Sequence, residues 1–135
     1  MPPIEHLVEG GIYADVLDAA EEFYRGSLGL EVLTNEPERH IFFRVGDSVL
    51  LVFRPDETLK GGMLPPHGTR GPGHFALGIP TESLDQWREH LNAHGIQIEK
   101  EVDWPRGGKS LCFRDPAGNA VEFVTRGLWG LSSGW

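Results

Sequence analysis

The apolar positions of the chain fall into short runs of period two, broken by two stretches of helical period, and this succession occurs twice. In the first copy, VEGGIYA (8–14) reads as a strand, and Leu17, Ala20, Phe23, Tyr24 and Leu28 then recur at helical spacing. That spacing predicts a helix over 16–28, with Asp15 as its N-cap and Gly29 as its stop. EVLT (31–34), HIFFRV (40–45) and SVLLVF (48–53) follow as strands, the last two joined at Gly46-Asp47. In the second copy HFALGI (74–79) is the strand, and Thr81 or Ser83 caps a helix with Leu84, Trp87 and Leu91 as its buried stripe and Gly95 as its end. IQIEKEV (96–102), SLCFR (110–114) and AVEFV (120–124) complete the copy. The turn DPAGN (115–119) uses Pro116 to set φ and Gly118-Asn119 to accept positive φ.

The duplication predicts one domain of two modules: module one at about 4–55, a Gly/Pro-rich linker at about 56–73, module two at about 74–126, and a tail at 127–135. The linker is either a spacer or an active-site cover. Trp129 and Trp135 in the tail need burial on the chain's own body, on a partner subunit or over a site mouth.

The 135 residues suffice for a core without disulfides, and a lone Cys112 permits no internal one. With no basic-apolar leader pattern in MPPIEHLVEGG, the expected location is the cytoplasm. VLLVF (49–53) is too short to span a bilayer. A formal net charge of −8 opposes attraction to nucleic acid or anionic lipid, which makes a small molecule the expected partner.

Candidate chemistry starts at GPGHFALGI (71–79). Strand alternation sends Phe75, Leu77 and Ile79 to one face and His74, Ala76 and Gly78 to the other, so an imidazole stands beside two residues too small to fill the space before it. Glu9 shares a face with Gly11 and Tyr13, and Glu122 lies between the core residues Val121 and Phe123. A carboxylate in an apolar strand is costly to bury unpaired. Glu9, His74 and Glu122 together would offset that cost by binding a divalent cation. Taken singly, each also fits an ordinary exposed Glu or a backbone-bonded His.

IYADVLDAAEEFYRGSLGLEV, GPGHFALGI and FRDPAGNAVEFV, in this order, resemble the vicinal oxygen chelate superfamily of glyoxalase I, extradiol dioxygenases and the fosfomycin and bleomycin resistance proteins. The resemblance runs from about Ile4 to Thr125. It implies an α+β fold in which two paired βαβββ modules curl mixed sheets around a metal-binding cavity, commonly in a homodimer. It places Glu9, His74 and Glu122 at the ligand positions for one divalent ion (Fe, Mn, Ni, Co or Zn). It further implies a Lewis-acid role for that ion toward a small oxygen-rich or carbonyl substrate chelated through adjacent oxygens, in a lyase, isomerase or ring-cleaving dioxygenase reaction. Glu9 or Glu122 is then the candidate catalytic base.

The further glutamate usual late in the first module of glyoxalase I has no counterpart here, where Leu50 or Leu51 stands instead. His67, Arg70, Trp104 and Arg106 are candidate substrate-binding residues on flanking loops. His90 and His94 fall on the outer face of their helix, and Cys112 is expected to be inert core. The competing expectation is a metal-free binding protein of the drug-sequestering kind.

Overall fold

Parallel pairing of the first and last strands of each half closes the same four-stranded mixed sheet twice. In the computed structural model, which describes residues 1–135, the chain divides into two compact units, Met1–Gly71 and Pro72–Trp135. The first unit holds β1 (Glu9–Tyr13), α1 (Leu17–Glu21), β2 (Glu31–Glu36), β3 (His40–Val45), β4 (Ser48–Phe53) and the short α2 (Pro55–Thr58). The second holds β5 (His74–Gly78), α3 (Leu84–Ala93), β6 (Lys100–Asp103), β7 (Lys109–Arg114) and β8 (Ala120–Val124). Strand orders are β1-β4-β3-β2 and β5-β8-β7-β6, with β1/β4 and β5/β8 parallel and the other pairs antiparallel. This is the expected α+β fold of two βαβββ modules.

In each unit one sheet face is apolar and the helix covers it. Ile12, Ile41, Phe43, Leu50 and Val52 are buried with Leu17, Ala20, Phe23, Tyr24 and Leu28, and the Tyr24 and Phe43 rings lie 5.3 Å apart. In the second unit Leu77, Leu111, Phe113, Val121 and Phe123 are buried with Leu84 and Leu91, and Trp87 packs 4.5 Å from Phe123. Burying such side chains contributes about 1.5–3 kcal/mol each.

Local details depart from the expectations. The first helix is α-helical only over Leu17–Glu21 and continues as a π-helical turn over Glu22–Ser27, where Leu28 N bonds Phe23 O at 3.0 Å. The wider turn sinks the neighbours Phe23 and Tyr24 together. Asp15 is not the cap: the N-cap is Val16, because Ala20 N reaches back to Val16 O. Neither Thr81 nor Ser83 caps α3 with its side chain; the two bound a 3₁₀ turn, and Ser83 Oγ donates to Pro80 O. The expected strand from residue 96 begins only at Lys100, since Ile96 N turns back to Leu91 O at the end of α3. In DPAGN only Gly118 takes positive φ, at 88°.

That turn also sets the start of β5. Asp115 Oδ1 accepts from Ala117 N and Asn119 N, Asp115 Oδ2 accepts from Asn119 Nδ2, and Asn119 Oδ1 accepts from Gly73 N at 2.8 Å. The residue before His74 is thereby fastened to the hairpin that delivers Glu122. Asp115→Ala leaves several buried donors unpaired and should lower stability by about 2–4 kcal/mol in denaturant unfolding.

His40 is half-buried, with its Nδ1 out of reach of solvent. Its Nδ1 has no hydrogen-bond partner, and Glu36 Oε2 stands 3.6 Å away. Burial holds the imidazole below its ordinary value of 6.5, against the opposing pull of Glu36. A base with a lowered folded pKa takes up its proton more readily unfolded. Its stabilising contribution is therefore full above about pH 6.5 and is lost as pH falls through the lowered value. His40→Leu should flatten this acid limb in unfolding midpoints measured across pH 5–7, an interval set by the ordinary histidine range of about 5 to 8.

Candidate metal-binding site

The face of each sheet turned away from its helix can be followed row by row across three strands. In the second unit the rows are His74–Ala120–Arg114, Ala76–Glu122–Cys112 and Gly78–Val124–Ser110. In the first they are Glu9–Val49–Arg44, Gly11–Leu51–Phe42 and Tyr13–Phe53–His40. Glu9 thus holds on β1 the place that His74 holds on β5. Leu51, rather than Leu50, stands where the second sheet carries Glu122; Leu50 is buried on the opposite, core face.

His74 and Glu122 are brought together. The imidazole Nδ1 lies 3.3 Å from Ala120 O, a contact that requires a proton on Nδ1. In the neutral ring Nε2 then presents a lone pair, 3.5 Å from Glu122 Oε2. That exceeds the range of a good hydrogen bond, so two electron-rich atoms face a common space. The His74 side chain is 61% exposed and that of Glu122 only 10%. Ser110 Oγ donates to Glu122 Oε1, and Trp104 Nε1 donates to Ser110 Oγ at 2.7 Å. Ser110, which sequence reasoning missed, is a buried hydroxyl on the face of β7 shared with Cys112. Cys112 is not in the core as expected but half-buried on this open face, where burial and the neighbouring Glu122 push its thiol upward and keep it protonated.

No three His, Cys, Asp or Glu side chains gather around one point in the structure. The donor pair nevertheless suits a first-row divalent ion, since imidazole nitrogen and carboxylate oxygen are ordinary partners for such metals.

The other candidates have defined places. His67 lies over the open face of the first sheet, where Tyr13 Oη is 2.8 Å from its Nδ1 and its ring stands 4.8 Å from Phe53. With Tyr13, Phe42 and His40, these rings make that face aromatic. Arg70 is exposed and ion-paired with Asp56. Arg106 is exposed in the turn after Trp104. His94 Nδ1 is 2.9 Å from His90 O, at the C-terminal end of α3.

The space beside His74 ends at Trp135. Its ring lies on Gly78, where any Cβ would collide with the indole, and the Arg126 guanidinium stacks on it 4.4 Å from the ring centre. Gly127 N bonds Gly134 O at 2.7 Å, which folds the tail back on its own unit. The indole occupies on the second sheet the place that the Tyr13 side chain takes on the first.

Residues 4–123 match the family model of the Glyoxalase/Bleomycin resistance protein/Dioxygenase superfamily, and the chain belongs to that superfamily. Among solved structures, it is similar to lactoylglutathione lyase from Agrobacterium tumefaciens, with 39% identity over 96% of this chain and 100% of that one, at a TM-score of 0.91. A glyoxalase/bleomycin resistance protein/dioxygenase from Nocardioides shares the fold at 20% identity, with TM-score 0.75 over 100% of this chain and 91% of that one. So does a glyoxalase-related enzyme from Fulvimarina pelagi, at 20% identity and TM-score 0.73 over 97% and 95%. No helix is long and apolar enough to cross a membrane.

Gly78→Ala should cost about 1–3 kcal/mol by overpacking against Trp135, and much less in a Trp135→Ala background. A double-mutant cycle from denaturant unfolding measures that coupling.

Proposed function

We propose that the chain is a divalent-metal-dependent lyase or isomerase acting on a small carbonyl-bearing or oxygen-rich substrate. The observation that carries this reading is the open pair of His74 Nε2 and Glu122 Oε2, with the far side of each donor already occupied by Ala120 O and Ser110. A carbonyl or hydrogen-bonded partner behind a ligand is the usual way that metal donors are oriented. Glu9 is the proposed third donor, from its matching place on β1, and a homodimer is the proposed assembly. The 39% identity to a lyase favours lyase chemistry over ring cleavage.

A metal held by Glu9, His74 and Glu122 would supply Lewis-acid stabilisation to negative charge developing on two adjacent substrate oxygens. The protein's own part is to move the proton and hold the substrate. The carboxylate of Glu9 or Glu122 would take the proton and return it, a role open to it only with an oxygen released from the ion. Trp104 offers its ring to an apolar substrate portion while its N–H remains on Ser110. Arg106, exposed on its turn, is the proposed partner of a substrate anion. Arg70 must exchange Asp56 for the substrate to do so, and His67 contributes through the aromatic face it shares with Tyr13.

A second reading, metal-free ligand sequestration, is favoured by one observation: Leu51 leaves the first sheet without the counterpart of Glu122. Elemental analysis of untagged protein purified without chelator separates the two. Near-stoichiometric metal in wild type, lost in His74→Ala and Glu122→Ala together with any formation of lactoylglutathione, is the expected result. Absence of divalent metal after reconstitution with each candidate ion would transfer the case to sequestration.

A further inference from the structure

We infer that Ser110 and Trp104 are positioning residues that hold the Glu122 carboxylate with Oε1 engaged and Oε2 left for a metal; this rests on the reading of His74 and Glu122 as ligands. Hydrogen-bond chemistry fixes the direction of the chain. An indole N–H can only donate, so Trp104 Nε1 must give its proton to Ser110 Oγ at 2.7 Å. A serine hydroxyl has one proton of its own, and with an indole donor on its oxygen that proton goes to Glu122 Oε1.

The ladder makes the arrangement possible. Ser110 stands opposite Val124, one row from Glu122 on the same face, so its short side chain reaches the carboxylate diagonally. Ser110 is 1% exposed, which shields its hydroxyl from bulk water. The half-buried Trp104 anchors the hydroxyl from outside, and Trp104 N bonds Gly108 O at 3.1 Å, which closes the loop that carries it. Oε1 is thereby engaged by the protein, and Oε2 alone faces His74 Nε2. Trp104 acts on the site through its N–H as well as its ring.

Co(II) titration of chelator-treated full-length protein, followed by visible absorption, tests this. Wild type, Ser110→Ala, Trp104→Phe, His74→Ala and Glu122→Ala are compared, each checked for folding by circular dichroism. Ser110→Ala should weaken Co(II) binding by about 10–100-fold and change the ligand-field bands, as the freed carboxylate turns or binds through both oxygens. Trp104→Phe, which keeps the ring and removes the donor, should produce the same band change with a smaller loss of affinity. This second variant alters a half-exposed side chain and keeps the test open if Ser110→Ala fails to fold. Wild-type affinity and bands in both folded variants, with binding lost in His74→Ala and Glu122→Ala, would overturn the inference and leave the metal reading standing. Wild-type protein that binds no Co(II), or His74→Ala and Glu122→Ala proteins that bind it unchanged, would overturn both.

Discussion

A carboxylate placed at the centre of an apolar strand must be solvated by something other than water, and the second sheet is arranged around that requirement. Glu122 lies between Val121 and Phe123, both buried against the helix side. Its own side chain emerges on the opposite face, where one oxygen is taken by a serine hydroxyl and the other left toward an imidazole. The parallel register of β5 against β8 decides that this imidazole is His74, since Ala76 is the residue directly opposite Glu122. The Asp115–Asn119 turn then fixes the register physically, because Asn119 grips the backbone of Gly73. Turn and ladder thus bring the Glu122 carboxylate and the His74 imidazole to one place on the sheet.

The duplicated halves share a backbone plan and differ in what they put on it. Row for row, the first sheet has Tyr13, Phe53, His40 and Phe42 where the second has Gly78, Val124, Ser110 and Cys112. One face is filled by rings of its own strands. The other is nearly bare, apart from two indoles brought in by a loop and by the tail. Small residues in β5 therefore leave a surface that a distant segment, the tail with Trp135, can cover.

Much of this was legible along the chain, because period-two alternation reports which face a residue takes and the glycines at 29, 46, 95 and 118 take the positive φ that ends helices and turns strands. His74 and Glu122 were recognisable for the same reason: a polar group on the open face of an apolar strand stands out in sequence. Ser110 did not stand out, since a serine at a strand start is ordinary until the ladder shows which carboxylate lies diagonally across from it. The π-helical turn was invisible to a search for helical spacing, because neighbouring apolar residues at 23 and 24 satisfy an α-helix equally well. Nor could pattern show that Trp135 belongs on Gly78, a relation between residues 57 positions apart that depends on the tail folding back.

The unequal exposure of the two donors has a kinetic meaning. His74 stands open to solvent on one side, whereas Glu122 is closed in by Ser110, Trp104 and the strands beside it. In the metal site proposed on this pair, exchange would be directional: chelators, solvent and substrate oxygens would reach the imidazole side first. The carboxylate arm, only 10% exposed, would govern the residence time of such an ion, and the open imidazole its ease of entry.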